Sequence, residues 1–127
     1  MDTCLSTYFH NFNQNHPYSD NLANLARYYN LYEHLMDHWQ KLYGNFILDI
    51  SYEELLDNPE FTVKNMIGYL GIDWDDNCLN YYENKRIVST PSYSQVRQPL
   101  YKSSLERGRN YSNYIGPLIE GLKAHNK

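Results

Sequence analysis

Apolar residues recur every three or four positions from Asn21 to about Leu42, over roughly six turns of helix. The set is Leu22, Leu25, Ala26, Tyr29, Tyr32, Met36, Trp39 and Tyr43. This spacing places the apolar side chains on one face of an α-helix, and that face must be buried against other elements. We therefore expect the longest helix here, capped by Asp20, and we expect it to form the main wall of the core.

The other elements are predicted from periodicity and from helix start and stop signals. Ser51 and Glu54 form a capping box, and Pro59 stands at the first position of a helix that Gly71 ends. The apolar, partly β-branched segment Phe46–Ile50 favours one buried strand. Further helices are predicted at residues 2–12 and 59–70, from near Asp75 or Asp76, at Leu100–Arg107, and at Tyr111–Leu122 with Pro117 near its middle. The fold class is therefore mainly α with about one short β-strand.

Length and composition limit the class of protein. A chain of 127 residues is expected to form a single domain over residues 1–127. It has no run of apolar residues long enough for a membrane span and no secretory signal pattern, so we expect a cytoplasmic protein without membrane contact. Cys4 and Cys78 form no CxxC pair, which indicates reduced packing residues and not a disulfide or a zinc site.

The basic residues are concentrated late in the chain. Six of the eleven lie between Lys85 and Arg109, with Glu106 as the one acid among them, in a chain whose net charge is −4. Cations at this density repel one another unless an anion lies near them, and that anion is phosphate, sulfate or the protein's own carboxylates. A solvated polar loop is the alternative interpretation. The six are Lys85, Arg86, Arg97, Lys102, Arg107 and Arg109.

Other classes of site are not indicated. The net charge of −4 disfavours general nucleic-acid binding. His34 and His38 are spaced as two metal ligands on one helix face, but no third ligand at a recognisable spacing accompanies them, so no metal is predicted. The six glycines never cluster, and no Gly-rich phosphate loop is encoded in this sequence.

Three stretches carry a resemblance to a known family. They are DTCLSTYFHNF, then YEELLDNPE leading into NMIGYLGIDW, and STPSYSQVRQPLYKSSLERGRNYSNYIGPL. Together they resemble the sulfotransferase family, most closely the bacterial branch often fused to tetratricopeptide repeats and related to tyrosylprotein sulfotransferases. The resemblance covers the C-terminal half of the family's P-loop-like α/β domain. It implies transfer of a sulfuryl group from 3′-phosphoadenosine 5′-phosphosulfate to a hydroxyl or amine.

The resemblance assigns four positions to cofactor binding. Ser6 matches the serine that binds the cofactor's 3′-phosphate, and Tyr52 matches a tyrosine that approaches the nucleotide. Ser92 and Arg107 match a serine and a basic residue that contact the cofactor from a late loop. The family's phosphosulfate loop and catalytic base correspond to no position here, so the resemblance implies no catalytic residue and no metal.

Two positions depart from the family pattern, and one is missing. Gly108 stands where the family usually has tryptophan, and His10 stands where tyrosylprotein sulfotransferases carry a cation. The arginine that usually precedes the serine matched by Ser6 would fall before Met1, so we expect the 3′-phosphate site to be half present.

These expectations describe a partial sulfotransferase domain, inactive alone, that retains weak contacts to 3′-phosphoadenosine 5′-phosphosulfate or to adenosine 3′,5′-bisphosphate. A non-enzymatic helical interaction module is the alternative, and half of a split or truncated enzyme is a third reading. The expected partner is the missing N-terminal half or another copy of the chain, the latter joined through the unpaired edge of the strand at Phe46–Ile50.

Overall fold

The computed structural model describes residues 1–10, 12, 16–90 and 93–123. These residues form α-helices and short 3₁₀ turns, and no β-strand occurs among them, so the mainly α prediction is confirmed. The helices are α1 (Asp2–Phe9), α2 (Leu22–Tyr43), α3 (Tyr52–Asp57), α4 (Pro59–Tyr69), α5 (Arg107–Asn110) and α6 (Gly116–Lys123), with 3₁₀ turns at Gly44–Phe46, Asp76–Cys78, Tyr81–Glu83 and Gln95–Arg97.

Contacts divide the chain into two compact units. Met1–Ile47 and Ser103–Lys127 form the first, here called the terminal unit, and Leu48–Lys102 form the second, the central unit. That both fold as the one domain expected from the sequence stays a prediction.

The long helix α2 organises the terminal unit. Its cap is Asn21 and not the expected Asp20, because the Asn21 side chain accepts hydrogen bonds from the backbone N–H groups of Ala23 and Asn24, each at 3.0 Å. The helix packs against α1 and α6 and so forms a wall of the core, as predicted. The buried apolar residues of this core are Cys4, Leu5, Leu25, Ala26, Ile115 and Leu118.

The contact between α2 and α6 is close because one of the facing residues is a glycine. A Cβ atom on Gly121 would lie 2.5 Å from the Cβ of Ala26, so only glycine allows this approach. The Gly121 carbonyl oxygen accepts a hydrogen bond of 3.0 Å from Asn30 Nδ2, which joins the two helices. Packing and a polar contact therefore fix α6 on α2.

Two predicted helices near the C-terminus are placed differently. The expected helix at Tyr111–Leu122 is shorter, because α6 begins at Gly116 and holds Pro117 in its first turn, where no intrahelical N–H bond is lost. The helix expected at Leu100–Arg107 does not form. Glu106 adopts a φ of 57°, a left-handed conformation that a right-handed helix excludes, and α5 starts only after it.

The central unit follows its sequence signals in α3 and α4. Ser51 Oγ accepts a hydrogen bond of 3.3 Å from the Glu54 backbone N–H, as the capping box predicts. Pro59 opens α4 at the expected place. Leu56 and Thr62 are buried between the two helices, and Thr62 Oγ1 donates a 2.9 Å hydrogen bond to the Asn58 carbonyl. The helix expected near Asp75 or Asp76 is only the 3₁₀ turn Asp76–Cys78.

The predicted buried strand at Phe46–Ile50 is wrong. Phe46 ends a 3₁₀ turn with 84 % of its surface exposed, and Leu48 and Ile50 are 40 % and 37 % exposed. Residues 47–50 have no regular structure, because the described residues supply no second strand to satisfy their backbone groups. Pairing of this segment with another copy of the chain stays a prediction.

Candidate functional site

Ser6 and Arg107 both belong to the terminal unit, on elements that a hydrogen bond joins. Asp2, in the first turn of α1, accepts a 2.8 Å hydrogen bond from the backbone N–H of the buried Gly108 in α5. Ser6 follows Asp2 by one helical turn and so lies on the same face of α1. Arg107 directly precedes Gly108. The hydrogen bond therefore holds the turn that carries Arg107 against the helix that carries Ser6.

The Arg107 side chain is available to a ligand. It is exposed, as is Ser6, and no carboxylate in the described part of the chain lies within ion-pair distance of its guanidinium. Its neighbour Arg109 pairs with Glu106 at 2.8 Å. The left-handed Glu106 precedes Arg107 and marks a strained turn, a feature often found at binding sites.

Gly108 lies close to α1. A Cβ atom at this position would lie 2.6 Å from Met1 Cγ and 3.2 Å from Asp2 Oδ1. The Met1 side chain is flexible and 41 % exposed, so it can turn away, whereas the Asp2 carboxylate would have to shift by a few tenths of an ångström. Glycine, which stands here where the family usually has tryptophan, therefore allows the Asp2 contact without that shift.

Tyr52 belongs to the central unit and not to the terminal unit that holds Ser6 and Arg107. Tyr52 begins α3 in the central unit and is 44 % exposed. Burial raises the pKa of Tyr81 in the same unit, with a smaller contribution from Tyr52, and the Tyr81 hydroxyl donates to the Gln98 carbonyl at 2.9 Å. Sequence reasoning missed Tyr81, which stands in no motif. Ser92 lies outside the described residues.

The cation cluster is divided between the units. Lys85, Arg86, Arg97 and Lys102 belong to the central unit, and Arg107 and Arg109 to the terminal unit. Lys102 pairs with Asp57, while the Arg97 guanidinium donates to the Arg86 carbonyl and lies 5.9 Å from the centre of the Tyr93 ring. Within the described part of the chain, oxygen atoms of the protein thus accept hydrogen bonds from Arg97, Lys102 and Arg109.

A cavity of about 530 Å³ lies between α1 and α2 in the terminal unit, and the sequence did not reveal it. Its rim contains Tyr18 and Tyr28, whose rings stack at 3.9 Å with parallel planes. Burial raises the pKa of the Cys4 thiol and of the Tyr29 hydroxyl, so these wall groups stay neutral. Its lining residues are Thr3, Cys4, Thr7, Phe12, Tyr18, Leu25, Tyr28, Tyr29, Leu31, Tyr32 and Leu35.

Metal ligands and membrane spans were sought in the described residues. They contain no group of three or more His, Cys, Asp or Glu side chains placed to hold a metal ion. None of the helices described is both long enough and apolar enough to cross a bilayer.

Comparison with known proteins decides the family. The sequence model of the sulfotransferase family matches residues 1–76, which include Ser6 and Tyr52. The chain belongs to the sulfotransferase family. Ser92 and Arg107 lie beyond the matched part of this sulfotransferase chain.

A much longer protein is similar along nearly the whole chain. An uncharacterised protein of Aquifex aeolicus (strain VF5) is 33 % identical over 126 residues, which cover 97 % of the sulfotransferase chain and 17 % of that protein. The chain thus spans about a sixth of that relative's length. No solved structure matches this sulfotransferase chain.

Proposed function

We propose that this chain is the C-terminal half of a sulfotransferase domain and supplies part of the site for 3′-phosphoadenosine 5′-phosphosulfate and its product, adenosine 3′,5′-bisphosphate. The intact domain would transfer the sulfuryl group to a hydroxyl or amine. Membership of the family supports the reaction class, and the partial span of the Aquifex protein is consistent with a piece of a larger enzyme. The N-terminal half is then its expected partner.

The Asp2–Gly108 hydrogen bond is the observation that carries this proposal. It joins the helix of Ser6 to the turn of Arg107, and both side chains are exposed. A hydroxyl and a guanidinium are suited to a phosphate, because the guanidinium donates two parallel hydrogen bonds to its oxygens. In this assignment Ser6 and Arg107 bind the nucleotide from the terminal unit, while Tyr52 and Ser92 stay positions that only the family resemblance matches to the cofactor.

The expected affinity is low. Charge-assisted hydrogen bonds of this kind contribute roughly 1.5–3 kcal/mol each. Two such contacts correspond to a dissociation constant in the high micromolar range or weaker. The binding should weaken with salt, because the guanidinium is exposed.

The experiment is calorimetric titration with adenosine 3′,5′-bisphosphate. We expect weak binding whose affinity Arg107→Ala and Ser6→Ala each lower by about tenfold or more, and which Arg27→Ala, an exposed arginine of the same unit, leaves unchanged. Adenosine 5′-monophosphate, which lacks the 3′-phosphate, should bind less tightly. Equal heat for the wild type and Arg107→Ala would remove Arg107 from the site, and no heat for the wild type would refute nucleotide binding by this chain.

The chain alone should not turn over the sulfuryl donor. A base for the acceptor and donors around the leaving phosphosulfate are needed, and one preorganised donor lowers the barrier by roughly 3–4 kcal/mol. The resemblance assigns none of these groups to this chain. Release of labelled sulfate to an acceptor by the purified protein, abolished by a substitution in this chain, would contradict this expectation.

A second candidate is a helical interaction module without enzymatic activity. The observation that favours it is the exposed apolar face of α2, on which Leu31 and Leu42 are 66 % and 57 % exposed. The two candidates differ in whether the chain binds adenosine 3′,5′-bisphosphate, which the titration above measures.

A further inference from the structure

The exposed apolar side chains of α2 follow a coiled-coil spacing. Tyr28, Tyr32, Leu35, Trp39 and Leu42 are separated by steps of four, three, four and three residues. They are 50 %, 52 %, 51 %, 39 % and 57 % exposed. Alternating steps of three and four place a continuous apolar line on one side of a helix, which is the pattern that binds another helix. We call these five residues the α2 seam.

The seam and its exposed apolar neighbours together approach the area of a standard interface. Leu31 and Tyr43 flank the seam, and Phe46, in the 3₁₀ turn that follows α2, is 84 % exposed. With about 200 Å² for an aromatic side chain and about 100 Å² for a leucine, these surfaces amount to roughly 700 Å². A standard protein interface buries about 800 Å² per partner. A second helix along the seam would therefore form an interface of ordinary size.

The surface around the seam is complementary to itself. The N-terminal half of the seam, including Tyr28 and Tyr32, lines the 530 Å³ cavity. The C-terminal half of the seam contains the exposed Trp39. Cavities of this volume accept groups of the size of an indole ring. In an antiparallel pair of α2 helices, Trp39 of each copy would face the cavity of the other. Such a reciprocal contact is what a two-fold dimer requires.

Charge does not oppose the pairing. The charged side chains of α2 are two cations, Arg27 and Lys41, and two anions, Glu33 and Asp37. The positions beside the seam, such as Leu31 and Tyr43, carry no charge. Two copies of α2 therefore meet without net repulsion, although the whole chain has a net charge of −4.

We propose that the α2 seam binds the α2 seam of a second copy of this chain in antiparallel orientation, with Trp39 of each copy seated in the α1–α2 cavity of the other. The helix of a second copy is the occupant because the cavity and the Trp39 that fits it lie on the same surface. This dimer does not depend on nucleotide binding.

Sedimentation equilibrium over a hundredfold range of concentration tests the proposal. We expect a monomer–dimer equilibrium in the wild type that Leu35→Glu weakens by about tenfold or more. Leu70→Glu is the matched control, since Leu70 is 64 % exposed on the central unit and outside the seam. A monomeric mass at every concentration, or equal effects of the two substitutions, would overturn the proposal.

Substitutions of Trp39 and of the cavity wall test whether Trp39 of one copy sits in the cavity of the other. Trp39→Ala removes the group that fills the cavity, and Thr7→Phe fills the cavity from α1 without changing α2. Each should weaken dimerisation by about tenfold, and the double variant should be little weaker than either single one, because both remove the same contact. Association unchanged by Thr7→Phe would refute the seating of Trp39 in the cavity. Far-ultraviolet circular dichroism of each variant is the control for folding, and we expect the helical signal of the wild type.

Discussion

The carboxylate of Asp2 and the backbone N–H of Gly108 form a 2.8 Å hydrogen bond across 106 positions of sequence. It joins α1 to α5, whereas α1 and α6 are held on α2 by apolar contacts and, for α6, by the hydrogen bond from Asn30 to Gly121. Ser6 and Arg107, which the family resemblance assigns to nucleotide binding, lie on the two elements so joined. The contact therefore links the stability of the terminal unit to the geometry of the proposed site.

Replacement of Asp2 by alanine should lower the stability of the terminal unit. Asp2→Ala leaves the buried Gly108 N–H without its acceptor, which costs roughly 1–3 kcal/mol of unfolding free energy. Denaturant unfolding measures this loss. Asp2→Asn is the control, because its amide oxygen still accepts the hydrogen bond while the charge near the helix N-terminus is lost, at a cost of about 0.3–1 kcal/mol. Equal losses in the two variants would show that the charge and not the hydrogen bond matters.

Alanine at two glycines should have opposite effects. At Gly121 the new Cβ would lie 2.5 Å from the Cβ of Ala26, so α6 must move away from α2, and we expect a loss of about 1–3 kcal/mol. At Gly68 in α4 no atom lies within 4 Å of the new Cβ, so the higher helix propensity of alanine should add about 0.5–1 kcal/mol. Thermal unfolding of the two variants measures the loss at Gly121 and the gain at Gly68. A neutral Gly121→Ala would show that the two helices separate without cost.

Local sequence signals predicted the helices whose formation depends on local contacts. The apolar periodicity of α2, the Ser51 cap and the helix-start signal of Pro59 act within a few residues, and these helices occur as expected. The segment Phe46–Ile50 was misassigned, because apolar, β-branched composition does not by itself supply the neighbouring strand that a buried strand needs.

The candidate site was predictable only in part. Ser6 and Arg107 were found through resemblance, since neither stands in a motif whose chemistry is evident from spacing. Their elements are joined by Asp2, and nothing local to Asp2 points to Gly108 at the other end of the chain. The cation cluster was visible as charge, but its pairings, such as that of Lys102 with Asp57, depend on distant contacts.

Glycine at position 106 should stabilise the turn before Arg107. Glu106 has a φ of 57°, which costs a residue with a Cβ roughly 1–2 kcal/mol. Because glycine has more freedom in the unfolded chain, the net gain for Glu106→Gly should be about 0.5–1 kcal/mol. Glu106→Ala is the control: it also removes the exposed pair with Arg109 but keeps the strain, so it should bring no gain. Chemical denaturation that ranks alanine at or above glycine would contradict the strain argument.

The terminal unit should lose stability in alkali. Burial raises the pKa of the Cys4 thiol, and it also raises the pKa of the Tyr18 and Tyr29 hydroxyls, so the folded state holds these protons more tightly than the unfolded state. For groups with a raised pKa, the stabilisation is complete below the unfolded value, about 8.5 for a thiol, and falls as the pH rises through the folded value.

The contribution of Cys4 can be isolated on a Cys78→Ser background, in which Cys4 is the remaining thiol. We expect the unfolding free energy of this protein to decline from about pH 8.5 upward and to decline less steeply after a further Cys4→Ala. The slope against pH is the decisive quantity, because Cys4→Ala also removes a buried side chain and lowers stability at every pH. Alkylation gives an independent reading, since the thiolate is the reactive species and the buried Cys4 should react only when the terminal unit opens. Rapid labelling of Cys4 under native conditions, or an unchanged alkaline slope after Cys4→Ala, would show that burial does not hold this proton in the folded state.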